Sequence, residues 1–282
     1  MMLDKDSSDI VGFLGSVGDD YCGDLYSDLL QKEGIIPYFE RIPKQNTGTC
    51  LVLCNHNDRA HITDLGASTS ITEDYIKRVL PKFEDAILIF TELFIIKTQK
   101  DLVYKIAKMG LPEHKIYGFN LPSFYFLETF QNDIQELISY ADILFANIDE
   151  AKFFCLKMGI DIKQSMEKII TALAKMSKKN KNKNRIVVIT ASAEPAWVCD
   201  YSFKENKVKW CKSYEVNYVP ENLIVDTNGA GDSFAGGFLS QYMKGKNIDE
   251  CMKAGHWAAS LIIQRIGCLI PTDIKYEPNN TE

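Results

Sequence analysis

The 282-residue chain has no uninterrupted apolar run of about 18 residues, the length a helix needs to cross a bilayer, and no leader-like amino-terminal pattern. A membrane partner is not expected, and the reading that follows is a cytoplasmic protein with nuclear presence left open. Positive charge is also scarce: 32 Lys and Arg stand against 38 Asp and Glu, a formal net charge of −6. That balance argues against a nucleic-acid surface, and any phosphate chemistry on such a chain is expected to recruit a divalent cation, Mg²⁺. Metal-site cysteine spacing is missing too. Of the eight cysteines only Cys50 and Cys54 are close, at a strand-like spacing that puts both on one face, so a zinc site is not expected. Free thiols in a reducing compartment are the simpler account. Internal repeats are absent. With 46% hydrophobic and 25% charged residues the chain suffices for a single globular domain carrying a lid.

What is present is an alternation of short apolar runs with amphipathic stretches of helical length. Strands are predicted at 86–90, 115–119, 142–146, 185–190 and 223–225, with a further one at Ile10–Gly15. Helices are predicted near 73–81, 98–109, 127–140, 149–158 and 162–177, which implies a mainly parallel sheet with helices on both faces. Between Pro37 and Thr63 the segments are shorter and flank a polar turn, Asn55-His56-Asn57-Asp58, which reads as a lid hairpin within about 37–66. Residues 177–185, SKKNKNKNR, carry five positive charges without apolar spacing and read as a solvated loop.

The most informative segment is Asp226-Thr227-Asn228-Gly229-Ala230-Gly231-Asp232, which follows Leu223-Ile224-Val225 and opens a helix. Gly229 and Gly231 permit a tight turn, and the free amides of residues 229–232 would face outward at the positive helix end, a place for a phosphate. A carboxylate there repels phosphate but is suited to taking a proton from a hydroxyl that attacks one, so Asp232 is the candidate base. The bland alternative is an N-cap Asp after an ordinary turn. Phe234, Phe238 and Tyr242 then recur on one helix face, while Gly236-Gly237 predicts close packing of this helix, at an expected cost of about 1 kcal/mol each, against the sheet behind the turn. A second helix is predicted from Asp249 to Arg265, ending near Gly267-Cys268-Leu269-Ile270-Pro271.

DTNGAGDSFAGGFLSQ followed by CMKAGHWAASLIIQRIGCLIP closely resembles the carboxy-terminal pattern of adenosine kinases in the ribokinase-like family. The resemblance continues, in the family's order, through Asn46-Thr47-Gly48-Thr49-Cys50, Asn57-Asp58-Arg59 and ADILFANIDEA at 141–151, covering about Gly12 to Pro271. It implies an α/β fold, a ribokinase-like three-layer α/β/α sandwich with a mainly parallel sheet and a small β lid, and transfer of the γ-phosphoryl of ATP to the 5′-hydroxyl of adenosine. The cofactor implied is Mg²⁺, with a monovalent cation left open; the partners are adenosine and ATP, and a monomer is expected.

By the same resemblance Asp232 is the base, and the amides of Gly229, Ala230 and Gly231 form the anion hole. Arg59 reaches the transferring phosphates, a task suited to its permanent charge and fork of donors, unless it is simply a surface Arg on a hairpin. Asn147 and Glu150 match an Asn-x-x-Glu element that holds hydrated Mg²⁺, and the same spacing also suits a helix capping box. Phe124 is placed to stack on the adenosine base, with Tyr125 or Phe126 as substitutes because the local spacing is one residue short. Thr190, Asn228, Gly255 and His256 line the ATP site, although a helical His is often a packing residue. The family's glycine after Thr190-Ala191 is here Ser192. The amino-terminal Asp strand, Gly-Gly element and Asn that complete the family's sugar site have no counterpart, since Gly236-Gly237 is the only Gly-Gly pair. Three readings follow: an adenosine kinase, a shortened form that binds nucleotide without catalysis, and a related sugar or nucleoside kinase.

Overall fold

A computed structural model describes residues 11–55, 58–268 and 274–277, and of residues 54, 55, 58 and 59 the backbone alone. The chain divides into two compact units, Met1–Glu84 with Val219–Glu282, and Asp85–Tyr218.

The first unit begins with β1 (Val11–Gly18), α1 (Tyr21–Lys32) and β2 (Ile35–Ile42), a βαβ turn whose strands pair in parallel as a two-stranded sheet. Asp20 caps α1 by accepting from the Gly23 N–H at 2.9 Å. The same carboxylate accepts from the backbone and hydroxyl of Thr47 at 2.7 and 2.6 Å, so the Asn46-Thr47-Gly48 segment is tied to the helix start. These bonds favour the charged form and hold the Asp20 carboxyl below the usual carboxylate range. The antiparallel hairpin β3 (Thr49–Asn55) and β4 (Asp58–Asp64) follows, and within 37–66 it is this piece alone that forms the hairpin, Pro37–Ile42 belonging to β2. Glu40 then anchors α2 (Glu73–Val79) by accepting from the Thr72 N–H and hydroxyl at 2.6 and 2.7 Å.

The second unit runs β5 (Leu88–Thr91), α3 (Ile96–Met109), β6 (Ile116–Asn120), α4 (Phe124–Thr129), α5 (Gln131–Ile138), β7 (Ile143–Asn147), α6 (Ile148–Lys157), α7 (Met166–Lys175), β8 (Arg185–Ala191), β9 (Glu194–Ser202) and β10 (Lys207–Tyr214). Its six-stranded sheet has the order β10-β9-β8-β7-β6-β5, with β5 to β8 parallel and β9 and β10 added antiparallel. The mainly parallel sheet is as expected. Ile143, Leu144, Phe145 and Ala146 are all buried, which is why β7 reads as a continuous apolar run rather than an alternating one. Two expectations shift. The helix foreseen at 127–140 is broken at Phe130, whose φ of −118° and ψ of 29° separate α4 from α5. The hairpin of β9 and β10 was not foreseen, because β10 at the sheet edge mixes Lys with apolar residues.

The basic stretch 177–185 is not a solvated loop. Lys178 and Arg185 are buried, and Lys183 is nearly so. The Lys178 ammonium donates to Asp142 Oδ1 at 2.7 Å and to the Ala141 carbonyl at 2.6 Å, and Lys183 pairs with Asp142 Oδ2. Arg185 donates to the carbonyls of Ile138, Met176 and Ser177 at 2.6 to 2.8 Å. The cause is the supply of carbonyls without helical partners where α5 and α7 end, which attracts cations into a place the charge count alone assigns to water. Burial lowers the Lys178 pKa to about 8 against the opposing pull of Asp142. Lys179 and Lys181 do face solvent.

The chain then returns to the first unit. The strand expected at 223–225 does not form: Glu221–Leu223 is a short 3₁₀ turn, and the Val225 and Asp226 N–H groups both donate to the Ile263 carbonyl, at 2.8 and 3.2 Å. Three apolar residues behind Pro220 are too few to sustain a ladder. Next come α8 (Ala230–Met243) and α9 (Ile248–Ile262), packed on each other. Of the glycine pair, Gly237 serves the contact of α8 with α9 rather than with a sheet. A Cβ at Gly237 would meet the Ala254 carbonyl oxygen at 2.5 Å, whereas one at Gly236 meets nothing within 4 Å.

Two stability predictions follow from this packing. Gly236→Ala should raise the urea midpoint by the equivalent of about 0.4–1 kcal/mol, since it only restricts the unfolded chain, while Gly237→Ala should lower it. Asp142→Ala should cost about 3–5 kcal/mol by leaving the buried ammonium of Lys178 and the nearly buried one of Lys183 without their carboxylate, a loss readable in the same denaturation experiment.

Candidate active site

The turn before α8 is held by one carboxylate. Asp226 Oδ1 accepts from the Asn228 N–H at 2.9 Å, and Oδ2 accepts from the Gly267 N–H at 3.0 Å, so the turn is bolted to the loop that leaves α9. Gly229 caps α8 with φ of +71°, in the left-handed region. Cys268 lies against it: its thiol is 3.7 Å from the Asn228 carbonyl, and a Cβ at Gly229 would collide with Sγ. Glycine is thus required there by conformation and by space. Gly231 differs, since a Cβ there would meet nothing within 4 Å. Among the described residues, packing does not require a glycine there.

Not all four amides at this turn are open. The Ala230 N–H makes a long bond of 3.4 Å to the Thr227 carbonyl, and Ser233 begins the helical ladder on the Gly229 carbonyl at 2.8 Å. Gly231 and Asp232 occupy the second and third helical positions, whose N–H groups have no acceptor within the helix. Asp232 is thereby placed in the first turn of α8. Its carboxyl is reachable from solvent yet hemmed in by protein, and this partial desolvation raises it above the ordinary carboxylate value. A base with raised affinity for a proton, beside amides aimed at an anion, can accept a proton from a hydroxyl while its neighbours hold the group that hydroxyl attacks. Asp226 is the participant that sequence reading passed over. Its place at the head of the heptapeptide was visible, but its bond to Gly267, 41 residues away, was not.

Gly255 and His256 lie on α9. A Cβ at Gly255 would meet the Phe234 ring and carbonyl at 3.0 Å, so this glycine lets α8 and α9 approach. His256 is buried with its ring edge-on to Phe234 at 5.1 Å, and burial lowers its pKa to about 4, leaving it neutral at pH 7. Its Nε2 is buried without a hydrogen-bond partner among the described residues.

In the second unit, Asn147 and Glu150 form a complete capping box at the start of α6. Asn147 Oδ1 accepts from the Glu150 N–H at 2.8 Å, and Glu150 Oε2 accepts from the Asn147 N–H at 3.0 Å. The pair stands at the carboxyl end of β7, where parallel sheets place ligand groups. Thr190 is the penultimate residue of β8, and its hydroxyl is 3.5 Å from the Ala146 carbonyl. Ser192 adopts φ of +53°, taking the left-handed turn that the family pattern gives to glycine. Among the three aromatic candidates, Phe126 packs on Phe94 and Phe130, whereas Phe124 is 47% exposed with one face against Phe153 at 4.9 Å. Tyr125 is exposed, and the Lys97 ammonium sits over its ring at 5.6 Å. A free face on Phe124 is what a stacking residue needs. Arg59 pairs by backbone register with Cys54 in the hairpin, and its side chain lies outside the described structure. No cluster of three or more metal-ligating side chains occurs among the described residues. Among the same residues no helix is long and apolar enough to cross a membrane.

Comparison with known proteins bears on this arrangement. Residues 7–275 match the profile of the pfkB family carbohydrate kinases. The chain is 30% identical over 263 residues to adenosine kinase 2 of Arabidopsis thaliana, covering 92% of this chain and 73% of that protein. It is 32% identical to the adenosine kinase of Schizosaccharomyces pombe, covering 94% and 77%. Among solved structures, Schistosoma mansoni adenosine kinase in complex with 2-fluoroadenosine superposes with a TM-score of 0.85 at 26% identity, covering 93% of this chain and 75% of that one. Anopheles gambiae adenosine kinase in complex with P1,P4-di(adenosine-5) tetraphosphate gives 0.84 at 27%, covering 91% and 74%. The chain therefore spans about three quarters of the length of these relatives.

Asp226→Ala should leave the Asn228 and Gly267 amides without their acceptor, at about 1–3 kcal/mol. Hydrogen exchange should speed up at both amides together, and Asp226→Asn, which keeps one acceptor oxygen, should recover part of the protection.

Proposed function

The chain belongs to the pfkB family of carbohydrate kinases, and on that premise we propose that it is an adenosine kinase-like phosphotransferase converting ATP and adenosine to ADP and AMP. The observation that carries this reading is the left-handed Gly229 turn opening α8, with the raised carboxyl of Asp232 in the helix's first turn. In this reading Asp232 takes the proton of the 5′-hydroxyl, worth about 10² to 10⁴ in rate for a positioned base. The amides of Gly229 and Gly231 receive the developing phosphoryl charge, joined by that of Ala230 as its long bond to the Thr227 carbonyl yields, each effective donor contributing on the order of 10² to 10³. Arg59 supports the same phosphates from the hairpin. Phe124 stacks on the nucleoside base through its free face. Thr190 and Asn228 are each assigned to nucleotide binding, and the buried Nε2 of His256, beside Gly255, offers a polar partner to the adenine of ATP.

Mg²⁺ fits the residues as a guest carried by the nucleotide rather than as a caged ion. Asn147 and Glu150 present one carboxylate that is already engaged in a capping box, a donor set suited to contact through water and not to a full octahedral shell. Bound there, the ion would neutralise phosphate charge during transfer. The activity is placed in cytoplasmic purine salvage, carried out by a monomer.

The test is ADP release by the purified chain with Mg-ATP, with and without adenosine, and with competing sugars and nucleosides as acceptors. Adenosine-dependent turnover is the expected result; folded, ATP-binding protein without turnover would sink the kinase reading in favour of a nucleotide-binding form. Asp232→Asn should abolish turnover and leave ATP binding nearly intact. The pH dependence has a definite sign. A carboxylate whose folded pKa is raised loses base activity as pH falls through that raised value, so the acid limb of the rate profile should lie at higher pH than an unperturbed aspartate would give. The same shift means that the charged form opposes folding at neutral pH, so the inactive Asp232→Asn variant should melt higher than the parent.

A further inference from the structure

β9 and β10 carry a pair of cysteines that the phosphate chemistry does not use. Cys199 and Cys211 are direct cross-strand partners in the antiparallel register, immediately beyond the irregularity between Val208 and Trp210. Side chains of directly opposed residues lie on the same face of the sheet, with Cβ atoms about 4.5–5.5 Å apart, near the separation a disulfide needs. The two thiols are close enough to interact with each other. The hydroxyl of Thr171 on α7 stands 3.9 Å from Cys199 Sγ on the same side. Cys199 is buried and Cys211 half-buried, so the pair is reached from the Cys211 side by a small molecule and not by a bulky one.

We propose that Cys199 and Cys211 form a reversible cross-strand disulfide in response to peroxide-class oxidants, a modification site on the hairpin that leads out of the second unit. The inference does not rest on the kinase reading. Peroxide meets Cys211, the less buried of the two, so Cys211 is the sulfur that attacks, with Cys199 opposite it in the ladder. A sulfur–oxygen bond forms at Cys211 as the peroxide O–O bond breaks, releasing one water and leaving a sulfenic acid. Cys199 then attacks that sulfur, the S–O bond breaks, and the departing oxygen takes the Cys199 proton to leave as a second water. Two thiols are oxidised to one disulfide while one peroxide is reduced to two waters. A thiol reductant reverses the bond by exchange.

The placement gives the bond a consequence. β10 is the edge strand of the six-stranded sheet and is held on one side only, by β9. A covalent tie between the two strands restricts the unfolded chain across the hairpin and resists fraying of this edge.

The experiment treats the purified full chain with a small excess of hydrogen peroxide, blocks remaining thiols, and maps peptides without reduction. Two of the eight thiols should be lost, in a linked pair containing Cys199 and Cys211 that dithiothreitol separates. The melting temperature should rise on oxidation and fall back on reduction. Cys211→Ser, with Cys211→Val as a second variant should the first fold poorly, should abolish both the linked peptide and the redox-dependent shift in melting. A disulfide between other cysteines, over-oxidation of Cys211 without a link, or eight intact thiols would each overturn the proposal.

Discussion

The arrangement at the start of α8 depends on Asp226 gripping two amides that are distant in sequence. A glycine-rich turn left to itself samples many conformations, and its amides would point at an anion only part of the time. By accepting from Asn228 and Gly267 together, Asp226 links the approach to α8 with the exit of α9, and the left-handed Gly229 and Gly267 fall where that link requires them. The close approach of α8 and α9 through Gly237 and Gly255 serves the same end, since a helix that shifts on its neighbour would carry Asp232 with it. Preorganised amides need no rearrangement when charge develops, which is why rigidity here matters more than the strength of any single bond.

Several residues serve local structure and a proposed chemical role at once. Asn147 and Glu150 close a capping box, so their positions are set by helix formation whether or not an ion is near. Fixing a carboxylate in this way lowers the entropy lost when it meets a hydrated cation. His256 shows the reverse balance: packing against Phe234 defines its place, and a buried ring nitrogen without a partner is the residue of polarity left over. Asp232 gives up folding stability for basicity, because the desolvation that raises its affinity for a proton also disfavours its charged form in the folded chain.

Much of this was legible in advance. The heptapeptide 226–232, the apolar runs of β5 to β8 and the periodicity of α8 and α9 all express local rules, in which spacing and residue type act within a few positions. The misreadings were of a different kind. Lys178, Lys183 and Arg185 look solvated because a charge run offers no sign that Asp142 and the carbonyls ending α5 and α7 stand opposite it. Ile224 and Val225 look like a strand because an apolar run does not reveal whether a neighbouring strand exists. Phe124, Tyr125 and Phe126 are alike in sequence, and only their neighbours in space separate the packed ring from the open one.

The sequence alone determined the α/β character, the order of strands and helices in the parallel part of the sheet, the family resemblance, and the position of Asp232 and its glycines at the start of α8. These follow from hydrophobic period, turn propensity and helix-end chemistry, which operate along the chain. Tertiary structure decided which glycines are needed for packing, which positive charges turn inward, that Asp226 braces the turn, and that Cys199 faces Cys211. Those outcomes rest on pairs of groups brought together from separate parts of the chain, and the energy of such a pair depends on distance and burial, neither of which the order of residues states.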